Sequence, residues 1–170
     1  KSWIESSDLL ILFDIGHQKR ARDVSEIAIN SNIDIICIDH HKNDDLDLFR
    51  AFFIDIDAPA TGLLAWRYLK LKGLDASWNI TVFKALYAAL VTDTGSFRYS
   101  NTTSECHEMA SELLNFGVDP YAIYVPIYEQ RKLSQLRLMS YVINNLKFSI
   151  DNKVCSSVID KKALTQTDSC

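Results

Sequence analysis

The stretch IICIDHHKND, residues 35–44, sets an aspartate and two histidines directly behind an unbroken apolar run. A short apolar run bounded by polar residues reads as a buried strand, so Asp39, His40 and His41 stand where a strand gives way to a loop. Upstream, LLILF at 9–13 is a second run of this kind and ends on Asp14. A third follows at 52–56, and RARDVSEIAIN at 20–30 carries Val24, Ile27 and Ala28 at helical spacing. Strands alternating with helices at this spacing predict an α/β fold with a parallel sheet flanked by helices. In open sheets of that type, ligands bind beyond the carboxyl ends of the strands.

The chain then turns helical. TGLLAWRYLKLKG at 61–73 ends on a glycine that suits a helix stop, and WNITVFKALYAALV at 78–91 is apolar nearly all round, as a buried helix would be. Thr102 with Glu105 has the spacing of a capping box for a helix running to Phe116, and Asp119 before Pro120 signals another start. A helix over 133–145 leads to LKFSI and VCSSVI, which flank a DNK turn and predict a hairpin. The expected division is therefore a first domain over 1–145 and the beginning of a second over 146–170. The aromatics Trp66, Tyr68, Trp78, Phe83 and Tyr87 follow helical spacing and are expected in the core. Both ends of the 170-residue chain read as cut from something longer.

Composition narrows the function classes. With 48% hydrophobic and 24% charged residues the chain is of ordinary globular type. A net charge of -4 argues against bulk electrostatic binding of long duplex nucleic acid, though a small anionic substrate held by a few cations or metals is compatible with it. No apolar run approaches the ~20 residues of a membrane span. Cys37, Cys106, Cys155 and Cys170 form no C-x-x-C pair, so incidental thiols in a reducing cytoplasm are expected rather than a disulfide framework or zinc knuckle.

Three elements deliver chemistry to one expected rim: Asp14, the Asp39–His41 tripeptide, and Asp93 behind the helix at 78–91. A lone aspartate at a strand end is ordinarily a cap or turn residue, and paired histidines can be structural. All three behind apolar segments point instead to a metal site. Mixed carboxylate and imidazole ligands suit manganese, and also iron or cobalt, while the lack of thiolates weakens a structural-zinc reading. Arg98 could offer a fork to a substrate phosphate or close a salt bridge. Thr94, Gly95 and Ser96 are expected to shape the loop after Asp93. His17 and His107 have no partner at ligand spacing and are expected at the surface.

DHH at 39–41, an Asp14-ended strand 25 residues upstream, and TDTGSFR at 92–98 together resemble the DHH phosphoesterase superfamily, from about residue 9 to 150. TDTGSFRYSNTT at 92–103 and DAPATG at 57–62 resemble the branch of bifunctional oligoribonuclease/PAP phosphatases and exopolyphosphatase-like proteins. The resemblance implies two manganese ions, with magnesium or cobalt as alternatives, bridged by Asp14. It implies His40 and Asp93 as further ligands of one ion, and His41 as the catalytic contact to the scissile phosphate or its leaving group. Asp39 then orients a histidine or anchors the turn, and Arg20 matches a basic position of the family's second motif.

The implied substrates are short oligonucleotides or small nucleotides such as 3'-phosphoadenosine 5'-phosphate, and a homodimer is an allowed assembly. The family's first motif, a histidine with two aspartates, has no counterpart before Leu9, and its glycine-rich C-terminal motif has none before Cys170. The expectation is a fragment inactive by itself. The alternatives are a cyclic-dinucleotide phosphodiesterase or exopolyphosphatase on the same scaffold, or a non-catalytic nucleotide-binding relative.

Overall fold

A computed structural model describes residues 2–43 and 46–169. Two compact units divide between Ile123 and Tyr124. In the first, α1 (Ser2–Glu5) leads into β1 (Leu9–Phe13), and α2 (Gln18–Ala21) and α3 (Asp23–Asn30) connect it to β2 (Asp34–Asp39). β3 (Ala51–Ile54) completes a three-stranded parallel sheet in the order β1-β2-β3. Helices α4 (Thr61–Leu71), α5 (Ile80–Asp93) and α6 (Ser104–Asn115) follow.

Register is what positions the rim. Leu9 pairs with Asp34 and Phe13 with Ile38, so β1 and β2 run out together. Asp39 pairs with Ile54 at the end of β3. One face of the sheet is core: Leu10, Leu12, Ile35 and Cys37 pack with Ile4, Ala28 and Phe49. Burial pushes the Cys37 thiol up to about 11, with the Asp39 charge as a smaller cause, so it stays a protonated packing group. Cys106 is likewise buried, Cys155 is exposed, and Cys170 lies outside the described residues. A second core joins α4, α5 and α6 through Leu63, Leu64, Phe83, Leu90, Met109 and Leu113, with Phe83 stacked on Phe116 at 4.6 Å.

Four expectations are corrected by packing. The apolar run of β1 is only half-buried, because Leu9, Ile11 and Phe13 face the other way and are exposed. The helix over 20–30 is broken at Arg22, whose φ of 46° ends α2 before α3 begins. The cap of α6 is Thr103 rather than Thr102: Cys106 takes the N3 position with its Sγ 3.4 Å from the Thr103 amide, and Glu105 bonds Arg67 instead. Among the aromatics, Trp66, Phe83 and Tyr87 are buried, whereas Tyr68 is exposed with the Lys72 ammonium 5.6 Å from its ring centre, and Trp78 is half-buried.

α7 (Pro120–Tyr124) starts where Asp119 accepts the Tyr121 amide at 3.0 Å. The second unit contains a π-helical turn (Val125–Glu129), α8 (Leu133–Asn144), an antiparallel hairpin of β4 (Lys147–Ser149) and β5 (Val154–Ser156), and α9 (Lys161–Gln166). The compact units thus group the helix before the hairpin with the hairpin itself, rather than dividing at 145/146. Within this unit the Ser169 hydroxyl bonds the Ser134 carbonyl at 3.0 Å. No helix among the described residues is long and apolar enough to cross a membrane.

Candidate metal centre

The site begins with a buried charge. Asp39 ends β2 fully enclosed, and its carboxylate accepts the amides of Gly16 at 2.5 Å, His40 at 2.7 Å and His41 at 3.0 Å, together with His41 Nδ1 at 2.8 Å. Burial pushes the Asp39 carboxyl up, but the bonds from His41, His40 and Gly16 outweigh it and hold the group below the usual carboxylate range. A Cβ on residue 16 would lie 2.5 Å from Asp39 Oδ2, so glycine is the residue that lets this amide approach. The Asn43 side chain adds a bond to the Gly16 carbonyl.

Asp14 leaves β1 by a different device. Its amide still donates to the Ile38 carbonyl at 3.0 Å, but its φ of 62° turns the chain out of the sheet in a conformation aspartate tolerates. Its Oδ1 accepts the Thr61 hydroxyl at 2.9 Å from the first turn of α4. Asp93 is the last residue of α5. The following loop is tied by Thr94, whose hydroxyl donates to the Leu90 carbonyl at 2.7 Å and accepts the Phe97 amide at 3.1 Å. Gly95, with φ of 54°, leaves room for the Tyr99 ring, which a Cβ would meet at 2.4 Å.

His40 sits between these carboxylates. Its Nε2 is 3.4 Å from Asp14 Oδ1 and 3.8 Å from Asp93 Oδ2, while its Nδ1 is 3.0 Å from the Ala58 carbonyl. A carbonyl can only accept, so the Nδ1–H tautomer satisfies this contact and turns the Nε2 lone pair toward the two carboxylates. His41 Nδ1 is 3.6 Å from Asp14 Oδ1 and 2.8 Å from Asp39, and its side chain is about half exposed. Burial raises the Asp93 carboxyl above its usual range, and the nearby Asp14 charge adds to the shift against a smaller opposing pull from His40. Carboxylates crowded in this way are relieved by a cation.

The donor set fits a divalent ion. Bonds of about 2.0–2.2 Å around such an ion leave neighbouring ligand atoms roughly 3–4 Å apart, the range in which His40 Nε2 stands from Asp14 Oδ1 and from Asp93 Oδ2. Asp14, Asp39, His40 and His41 also gather ligand atoms within 4.8 Å of one another. Asp39, however, is already saturated by four N–H donors, which suits it to orienting the turn rather than to ligation.

Two cavities flank the centre. One, of about 420 Å³, is lined largely by apolar and small side chains including Phe13, Ala65 and Leu86, and ends on Asp14 and Asp93. The other, of similar volume, is lined by Gly16, His17, Arg20, Asp39, His41 and Lys42. Arg20 thus shares a cavity with His41, and His17 lines it half-buried rather than lying fully at the surface. Arg98 donates its Nε to the Gly95 carbonyl at 2.8 Å, and exposed His107 stacks on Phe97 at 5.0 Å.

Sequence reading missed three groups. Thr61 supports Asp14, the Ala58 carbonyl fixes His40, and Asn101 Nδ2 donates to the Asp93 carbonyl at 3.1 Å and the Pro59 carbonyl at 3.4 Å. Their signal lay in the DAPATG and TDTGSFRYSNTT segments, which carried residues whose partners only the fold reveals.

No family model matches the chain. It is 29% identical over 160 residues to the bifunctional oligoribonuclease and PAP phosphatase NrnA of Bacillus subtilis, covering 92% of this chain and 48% of that protein. The NrnA of Thermus thermophilus is 28% identical over 135 residues, covering 79% of this chain and 40% of the relative. Among solved structures, an exopolyphosphatase-related protein from Bacteroides fragilis superposes with a TM-score of 0.87 at 29% identity, over 98% of this chain and 49% of that one. The chain spans about half the length of the relatives it matches, or less. In sequence and in backbone alike, the chain resembles the DHH phosphoesterases of the NrnA-type oligoribonuclease/PAP phosphatase branch.

Proposed function

We propose that these residues form the metal-binding half of a manganese-dependent phosphoesterase site for short oligonucleotides or small nucleotides such as 3'-phosphoadenosine 5'-phosphate. The observation that carries the reading is His40, with Nε2 set between Asp14 and Asp93 and Nδ1 held by a backbone carbonyl. Asp14, His40 and Asp93 would hold the ion, with magnesium or cobalt as alternatives, and Asp14 has a second oxygen to share with a neighbouring ion. Bound there, paired cations would neutralise phosphoryl charge and supply hydroxide from water.

The chain's own residues do the rest. Asp39 holds His41 by Nδ1, which leaves Nε2 for the substrate phosphate or its leaving group. Arg20 lines the same cavity as His41 and offers a guanidinium to phosphate oxygens, and Arg98 offers its terminal nitrogens beyond the Gly95 contact. The substrate class is supported by the names of the NrnA relatives. The exopolyphosphatase-related structure supports a second reading, a polyphosphate substrate on the same scaffold.

Calorimetric titration with manganese separates the roles. His40→Ala should abolish uptake and His41→Ala should retain it. In a chain of the relatives' full length, His41→Ala should slow hydrolysis of a short RNA by roughly 10²–10⁴-fold. Uptake lost in His41→Ala but intact in His40→Ala would reverse the assignment. For the 170 residues alone we expect one weakly held ion and negligible turnover on RNA or a nitrophenyl phosphodiester, since Asp14, His40 and Asp93 complete at most one ion's set. Two tightly held ions with rapid turnover would refute that.

A further inference from the structure

We propose that Arg67 is a positioning residue for His40, acting through the turn at residues 55–58. It bears on the metal reading above but has its own readout. Arg67 lies on α4 and donates Nη1 to Asp55 Oδ2 at 2.8 Å. Its other side is clamped by Glu105 of α6, with Nε to Oε1 at 2.8 Å and Nη2 to Oε2 at 2.6 Å. The Glu105 bonds, ahead of those to Asp55, raise the guanidinium further above its already high range, so the charge is permanent.

Asp55 in turn organises the segment that meets His40. Its amide donates to the Asp39 carbonyl at 3.2 Å, its Oδ1 accepts the Asp57 amide at 3.1 Å, and its carbonyl accepts the Ala58 amide at 3.2 Å. Ala58 is buried, and its carbonyl is the group that holds His40 Nδ1. A continuous chain of bonds therefore runs from Glu105 through Arg67, Asp55 and Ala58 to the imidazole. His40 is held from outside its own turn, and Arg67 anchors the far end of that hold. Neighbouring His41 is the internal comparison, because its Nδ1 is fixed by the Asp39 carboxylate, whereas the 55–58 turn reaches Asp39 only at its backbone carbonyl.

The test reads histidine tautomers in the metal-free chain by long-range ¹H–¹⁵N NMR. In the unmodified chain both His40 and His41 should show the Nδ1–H form. Arg67→Ala should shift His40 toward the Nε2–H form and leave His41 unchanged. Arg67→Lys, which keeps the charge but loses the fork, should be intermediate. Asp55→Asn keeps an acceptor for the Asp57 amide while removing the charge, and decides the matter if Arg67→Ala fails to fold. Manganese affinity, read by calorimetry, should fall about 10–100-fold alongside the His40 change. An unchanged His40 tautomer in the folded variants, or His40 and His41 shifting together, would overturn the proposal. If the unmodified chain takes up no manganese, the metal reading fails, while the tautomer comparison still decides this one.

Discussion

Two adjacent histidines are held by opposite means. His41 is fixed inside its own turn: Asp39, two residues away, accepts both its amide and its Nδ1. His40 is fixed across the fold: Ala58, 18 residues on, takes its Nδ1, and Asp14 and Asp93 approach its Nε2 from the ends of a strand and a helix. The local arrangement is built as soon as β2 ends on a buried carboxylate. The distant one exists only when β1, β2, α4 and α5 are all docked. The DHH turn is thus a local scaffold, and the arrangement of carboxylates around it is a readout of tertiary structure.

The largest expected effect tests the local half. Asp39→Ala strips the acceptor from three amides and an imidazole in a buried site, so urea unfolding should show a loss of roughly 3 kcal/mol or more. A loss below about 1 kcal/mol would mean the turn holds itself without the carboxylate. Gly16→Ala intrudes on the same oxygen from the β1 side and should cost about 1–3 kcal/mol, with the denaturant midpoint falling at constant slope.

The distant half should respond more gently. Thr61→Val removes the hydroxyl that supports Asp14 and should cost about 1 kcal/mol, because Asp14 is half-exposed and water can replace the bond. The smallest effect concerns pH. The Arg67 hydrogen bonds hold the Glu105 carboxyl below its usual range against a smaller opposing effect of burial. A depressed folded-state value means the contribution is complete above the unfolded carboxylate range and fades as pH falls through the lower folded value. Glu105→Gln should therefore lower stability at pH 8, where the contribution is complete, and flatten the acid limb, so that the variant and the unmodified chain converge below about pH 4. An acid limb as steep as in the unmodified chain would remove Glu105 from the network that carries the distant hold.

The same contrast explains what could be read without a structure. Apolar runs ending on Asp14 and Asp39 are local patterns, so the parallel strands, their shared rim and the residues on it were legible in the sequence. The hairpin around 150–153 was legible for the same reason, since turn and flanks are contiguous. The exposure of Leu9, Ile11 and Phe13 was not, because an apolar run carries no mark of which face finds a partner. The cap of α6 was misplaced by one residue because Thr102 and Thr103 both fit, and the tie was broken by Arg67, 38 residues before Glu105. Thr61, Asn101 and the Ala58 carbonyl escaped notice because their meaning lies wholly in partners far along the chain.

The left-handed backbone of Asp14 has a practical consequence for anyone dissecting this centre. An alanine there would remove a carboxylate and at the same time force a Cβ-bearing residue without a helpful side chain into a conformation that costs about 1–2 kcal/mol. A lost charge and a sprung strand end would then be indistinguishable. Asparagine shares aspartate's tolerance of that region and can still accept the Thr61 hydroxyl through its amide oxygen, so Asp14→Asn isolates the charge. Position 14 is one where the customary alanine scan gives an ambiguous answer and the isosteric swap gives a clean one.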